Sequence, residues 1–290
     1  MNQSFEEWQQ TLGHLSLSTK EFQLLSDFIY TACGIKMPIV KKSMLEARLQ
    51  KRLRSLGIPS FQEYCHYLFH GEGKTKEIQF FIDKITTNKT DFFREPGHFD
   101  QLTQIILPEI LNNSNNFSKK LTIWSAGCST GEEPYTLAMI LSEYVQQFPA
   151  QRIQFSILAT DISMEVLQVA QRAVYPEERI EPVELPLRKK YLLKHKDKNK
   201  KLIRIAPEIR KMVQFQQLNF MNENLGVNNV NIIFCRNVII YFDKPTQEKL
   251  LNKFCQCLGP HGYLFLGHSE TIQGLNVPLR QLFPTVYRKT

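Results

Sequence analysis

The stretch Leu121–Leu141 (LTIWSAGCSTGEEPYTLAMIL) constrains the fold of this chain more than any other. Leu121, Ile123 and Trp124 read as a short apolar strand, and the run Ser125–Gly131 holds no bulky side chain. Leu137, Ile140 and Leu141 then recur at helical spacing behind Glu132, Glu133 and Pro134. Acids and a proline suit the first turn of a helix, where N–H groups are unpaired and the dipole favours negative charge. Strand, small-residue turn and helix together are the layout of a nucleotide-type site at the end of a parallel strand, but G-x-G-x-x-G is absent. Glu132 and Glu133 would repel a pyrophosphate and welcome a cation, which points to S-adenosylmethionine with its sulfonium and ammonium. The plain alternative is an ordinary βα turn with acidic first-turn residues.

From Leu121 onward the pattern alternates strand and helix, so the main body is expected to be α/β and doubly wound. Ile153–Ala159 is β-rich and ends on Thr160-Asp161, about thirty residues after the small-residue turn. An acid there suits a ribose diol, and the competing reading is a cap for the helix that follows. Val213–Leu218 reads as a strand ending on Asn219-Phe220, and Val230–Phe234 as a buried strand ending on Cys235-Arg236-Asn237. Tyr263–Leu266 and Pro284–Arg288 complete about seven strands, the last expected to form an antiparallel hairpin.

Residues 16–84 instead read as helical throughout. Ser18 or Thr19 caps a first helix that ends at Gly34, and a second runs from about Val40 to Leu56 before Gly57. That helix carries an apolar stripe of Leu45, Leu49, Leu53 and Leu56, with Lys41, Arg48, Lys51 and Arg52 on an arc beside it that should face solvent. Lys36–Arg54 holds seven basic residues against one acid, and Arg179–Lys211 twelve against four. With a formal net charge of +8, the chain favours an acidic partner. Residues 175–216 interrupt the α/β alternation and read as a small β insert around the exposed turn Lys194–Lys201. Thr86–His98 (TTNKTDFFREPGH) is too aromatic for a bare linker and should pack on the domain after it. Asn112–Lys120 reads as an exposed polar loop.

Hydrophobic residues at 42% and charged residues at 22% describe a globular chain with a full core. No apolar run reaches the roughly 18 residues of a membrane span, and the N-terminus has no leader pattern, so a cytoplasmic protein is expected. The six cysteines form no C-x-x-C pair, which argues for reduced thiols and no metal centre.

TTNKTDFFRE, WSAGCSTGEEPY, ATDIS, FCRNVIIYFDKPTQ and LFLGHSE, in that order, resemble the CheR-type chemoreceptor glutamate O-methyltransferases. The resemblance implies a Rossmann-like class I methyltransferase sheet with a small N-terminal all-helical domain (1–85), a linker contributing to the cofactor site (86–98) and a methyltransferase domain (99–290) with the β insert. It implies S-adenosylmethionine as cofactor and cytoplasmic helical domains of methyl-accepting receptors as partners, for a protein that is neither membrane-inserted nor bound to nucleic acid and is expected to be monomeric. Asn88, Thr90, Arg94, Glu132, Asp161, Asn219, Phe220, Arg236 and Asn237 match cofactor-binding positions. Arg94 and Tyr241 match positions at the transferred methyl. Arg48, Lys51 and Arg52 lie on the family's receptor-facing helix. Some members dock a receptor's C-terminal pentapeptide at a glycine-bearing turn of the insert; the corresponding turn here, Lys194–Lys201, has no glycine. The rival reading is a nucleic-acid methyltransferase of the same fold, against which FCRNVIIYFD lacks the Asn/Asp-Pro-Pro-Tyr motif that grips a flipped base.

Overall fold

The computed structural model describes residues 15–112 and 119–290. The polar-loop expectation for Asn112–Lys120 lies mostly outside them, as does the N-terminal leader question. The chain divides into two compact units between Thr87 and Asn88. This break falls inside the expected linker, most of which therefore belongs to the second unit.

The first unit contains α1 (Thr19–Cys33), α2 (Lys42–Leu56), α3 (Phe61–Phe69), the single turn α4 (Gly73–Lys76) and α5 (Ile78–Ile85). Ser18 opens α1 with a capping box: its hydroxyl accepts from Glu21 N, and the Glu21 carboxylate accepts from Ser18 N. Gly34 and Gly57 close α1 and α2 in the left-handed conformation. Leu45, Leu49 and Leu53 repeat every four residues and meet Phe22, Leu25, Ile29, Phe61, Tyr64 and Phe81 in one core.

The basic arc of α2 departs from expectation. Arg52 makes a two-pronged ion pair with Glu77 (Nε–Oε1 2.9 Å, Nη2–Oε2 2.6 Å), whose side chain is 1% exposed. Tyr64 Oη donates to the same carboxylate at 3.0 Å. Arg48 donates to the carbonyls of Ile85 and Thr86 at 2.7 and 3.1 Å, at the C-terminal end of α5 where carbonyls lack helical partners. Both arginines are therefore half-buried structural ties, whereas Lys51 is exposed. Spacing alone could not show this, because Glu77 lies 25 residues away from Arg52. Arg52→Glu is expected to destabilise the first unit by about 3 kcal/mol, since it sets a second carboxylate against a buried one. Lys51→Glu should leave the urea-unfolding midpoint nearly unchanged, and equal midpoints for the two variants would contradict this assignment.

The second unit opens with α6 (Gly97–Gln101), a π-helical turn (Leu102–Ile106) and α7 (Leu107–Asn112). Pro108 has no N–H to return to residue 104, and the wider turn falls just before it. Then follow β1 (Lys119–Ala126), α8 (Glu132–Gln147), β2 (Ile153–Asp161), α9 (Met164–Arg172), β3 (Val174–Pro176), α10 (Leu185–Tyr191), β4 (Leu192–Lys194), β5 (Leu202–Ile205), α11 (Pro207–Arg210), β6 (Val213–Gln217), β7 (Val230–Cys235), α12 (Lys244–Cys257), β8 (Leu258–Leu266), β9 (Leu279–Phe283) and β10 (Val286–Lys289).

Seven strands form one sheet in the order β6-β2-β1-β7-β8-β10-β9. The strands from β6 to β8 are parallel, and β10 runs antiparallel to both β8 and β9. The expected insert is a three-stranded antiparallel sheet, β3-β5-β4, so the hairpin read from sequence gains β3 as a third strand. Strand order reverses between β1 and β7, and such a switch point leaves a crevice at the carboxyl ends of the strands. Ala126, Asp161 and Cys235 end β1, β2 and β7, so the turns that follow all face that crevice. Segment 88–98 is packed onto this unit: Phe92 is fully buried in its core beside Tyr175, and Phe93 N donates to Thr136 Oγ1 at 3.2 Å.

Candidate active site

The turn after β1 hangs on β2. Gly127 N and Cys128 N both donate to Thr160 O, at 2.8 and 2.9 Å. Gly127 has φ +84°, and a Cβ there would meet Val238 Cγ2 at 2.5 Å, so only glycine lets this turn close under the loop after β7. Asp161 completes the arrangement: its Oδ2 accepts from Ser129 N at 2.8 Å and its Oδ1 from Ser163 N at 3.0 Å. The cap of α9 is Ser163, whose hydroxyl accepts from Val166 N, so the helix-cap reading of Asp161 gives way to one in which its carboxylate braces two loops. Ser129 Oγ in turn donates to Asn88 O at 2.8 Å, which joins the aromatic segment to the turn.

The two acids of α8 are not bare. Glu132, 1% exposed, accepts from Arg179 Nη2 on Oε1 and from Thr130 Oγ1 on Oε2, each at 2.6 Å. Arg179 Nη2 also donates to Thr90 O at 2.6 Å. Glu133 accepts from Ser125 Oγ at 2.7 Å and from Arg236 Nε at 2.6 Å. Each carboxylate of this pair thus has a guanidinium partner, as a buried charge needs.

Arg236 is the central tie. Its Nη1 donates to Arg94 O at 2.6 Å and lies 3.6 Å from Glu95 Oε2, while its guanidinium sits over Phe99 and Phe234 at 5.1 and 5.8 Å. The Arg94 side chain is half-buried and donates to Lys89 O at 3.1 Å. The loop carrying Asn237 and Tyr241 hangs from Glu270, which accepts from the N–H groups of Asn237, Val238, Ile240 and Gly267 at 2.6–3.3 Å. Burial raises the Glu270 carboxyl above its usual range, and those four bonds oppose the rise. Asn219 caps its own turn by accepting from Met221 N at 2.9 Å. The Phe220 ring packs edge-on against Trp124 and Phe254, so that ring belongs to the core.

Four non-glycine residues of the site have left-handed backbone. Phe93, Glu95, Ser129 and Asn237 all take φ between +50° and +59°, outside the region non-glycine residues prefer. Each costs on the order of 1–3 kcal/mol and persists only where surroundings enforce it, a pattern typical of working sites.

Hydrogen bonding and packing join Asn88, Thr90, Arg94, Glu132, Asp161, Arg236 and Asn237 into one network. Arg179, Glu270 and His98 were not singled out from sequence; Glu270 closes the LFLGHSE motif and was the most accessible of these. Glu95, His98 and His268 bring possible ligand atoms within 4.8 Å of one another. The Arg236 guanidinium lies 3.5 Å from His98 Nδ1, and that positive charge opposes a metal ion there.

The imidazole and the two thiols beside the network are poor bases and nucleophiles. Burial, then Arg236, hold the His98 imidazole down at about 4, and its Nε2 is within 2.9 Å of Thr285 Oγ1. Burial pushes the Cys128 and Cys235 thiols well above their usual range, so neither is a thiolate nucleophile. The depressed imidazole has a consequence for stability. Between its unfolded value of 6.5 and its folded value of about 4, the unfolded chain binds a proton that the folded one refuses, so stability falls as pH drops through this window. Unfolding midpoints measured from pH 7 to 4.5 should fall less steeply in His98→Asn than in the wild type; parallel curves would mean that His98 titrates normally.

A switch-point crevice with a small-residue turn, an acid ending the second strand and no phosphate cradle defines an S-adenosylmethionine-dependent methyltransferase of the α/β class. Asn237 Oδ1 is buried with no hydrogen-bond partner among the described residues, and such an acceptor suits an N–H donor of a bound ligand. The CheR methyltransferase SAM-binding domain matches residues 88–288, and the CheR methyltransferase all-alpha domain matches residues 20–86. The chain is 42% identical over 283 residues to the chemotaxis protein methyltransferase of Borreliella burgdorferi, covering 95% of this chain and 96% of that protein. It is 38% identical to chemotaxis protein methyltransferase 2 of Pseudomonas aeruginosa (92% of each chain) and 35% identical to the Escherichia coli chemotaxis protein methyltransferase (96% and 93%). The chain belongs to the CheR methyltransferase family.

Proposed function

We propose that this methyltransferase esterifies glutamate side chains on the cytoplasmic helical domains of chemoreceptors. The observation that carries the reading is the match of residues 88–288 to the CheR methyltransferase domain, together with relatives 35–42% identical that are chemotaxis protein methyltransferases. A lysine ammonium or a ribose hydroxyl must lose a proton to be methylated, whereas a glutamate side chain near pH 7 is already an anion. Bound S-adenosylmethionine supplies the electrophilic methyl on its sulfonium. The substrate carboxylate would accept that methyl, with the C–S bonding pair left on sulfur.

What remains for the protein is alignment and exclusion of water. Asp161, the acid that ends β2, would accept from the ribose diol. Glu132 with Thr90 would take the ammonium; Asn88, Asn219, Arg236 and Asn237, with the backbone at Phe220, would line the remainder. Arg94 and Tyr241 hold the substrate carboxylate as donors. Tyr241→Phe keeps the ring and should lower turnover about tenfold with S-adenosylhomocysteine affinity unchanged, as expected for loss of one hydrogen bond to a charged group. Wild-type turnover in that variant would remove the hydroxyl from the mechanism.

The protein works in the cytoplasm in this reading; no helix among the described residues is long and apolar enough to cross a membrane. With Arg48 and Arg52 tied within the first unit, exposed Lys51 is the candidate on α2 to meet an acidic receptor helix, and Lys51→Glu should lower receptor methylation most at low salt. The direct test offers cofactor labelled on the methyl together with an acidic receptor helical domain and, separately, RNA. Label on the receptor supports the proposal, and label on RNA alone overturns it.

A further inference from the structure

We propose that Arg179, in the first turn after β3 of the small inserted sheet, is the positioning residue that fixes Glu132 for the cofactor's ammonium group. The inference rests on the reading of Glu132 given above. Arg179 Nη2 touches two acceptors at once, Glu132 Oε1 and Thr90 O, both at 2.6 Å, and its Nη1 lies 3.5 Å from Asp91. These acceptors come from different parts of the chain: Glu132 opens α8, whereas Thr90 belongs to the segment leading to Arg94. One guanidinium thus spaces the two groups that an ammonium would bridge. Thr130 Oγ1 holds the other carboxylate oxygen, so the carboxylate plane is set from both sides. Tyr175 Oη donates to Thr130 O at 2.7 Å, a second tie from the same insert to the same turn.

Without Arg179, a carboxylate that is 1% exposed loses its only ion-pair partner among the described residues. It can then turn towards Thr130 or draw in water. The planar fork of arginine matches this geometry and an ammonium does so only partly, so lysine is an incomplete substitute.

The experiment compares two ligands by calorimetry on the full chain: S-adenosylhomocysteine, and 5′-methylthioadenosine, which keeps the adenosine thioether and lacks the amino-acid portion. In Arg179→Met, affinity for S-adenosylhomocysteine should fall about tenfold or more while that for 5′-methylthioadenosine stays level. Arg179→Lys should recover part of the loss. Equal loss for both ligands would make Arg179 a general support of the fold, and tighter S-adenosylhomocysteine binding would make it a competitor for the ammonium; either overturns the proposal. Glu132→Gln separates the premise. If it leaves the ratio of the two affinities unchanged, Glu132 is not the ammonium acceptor and both readings fall. If it collapses the ratio and Arg179→Met does not, only the role of Arg179 falls.

Discussion

Arg236→Met is expected to destabilise the second unit by about 3–5 kcal/mol, the cost of removing one partner of a buried ion pair. Arg236 is 3% exposed and Glu133 10%, so the carboxylate left behind cannot be solvated by bulk water. The same change also releases Arg94 O, and with it the segment between Phe93 and Glu95 whose left-handed backbone is held in place by such contacts. Methyl transfer should therefore be lost in protein that still folds at low temperature. Adding Glu133→Gln removes the orphaned charge and should recover part of the stability but not the activity. A single variant that melts with the wild type would show that the pair is solvated.

Asp161→Ala should weaken S-adenosylhomocysteine binding by about 10- to 150-fold, equivalent to about 1.5–3 kcal/mol for bonds to a charged group. It also deprives buried Ser129 N of its acceptor, so a loss of about 1–3 kcal/mol in stability should accompany the loss of affinity. Asp161→Asn retains one carbonyl oxygen and should recover stability more than affinity, because a neutral amide is a poorer acceptor for a ribose diol. Calorimetry and thermal melting read the two effects separately. Unchanged affinity in either folded variant would reduce Asp161 to a brace between the turns after β1 and β2.

The fold was largely legible in the chain because its signals are local. The strand-turn-helix at Leu121–Leu141, the acid ending β2 and the glycines closing α1 and α2 each follow from neighbours a few residues apart. The charge pairing was not legible, because it joins residues far apart in sequence. Arg236 and Glu133 are 103 residues apart, Arg179 and Glu132 47, and Arg52 and Glu77 25. Read singly, Glu132 and Glu133 promised a cationic partner without showing that arginines of this chain pair with them, and Arg52 read as solvent-facing although Glu77 pairs with it. The same distance hid Glu270: a carboxylate 33 residues beyond Asn237 holds the loop that carries it. Helical spacing identified the arc on α2 but could not say which of its cations face solvent.

The account turns on the chemistry of the acceptor, and mapping the transferred methyl on a receptor helical domain tests this most directly. After incubation with the full chain and S-adenosylmethionine, mass spectrometry of receptor peptides should place the methyl on glutamate side chains, and mild alkali should release it as methanol. Methyl groups that survive alkali, on lysine or arginine nitrogen, would contradict a site that works without a base.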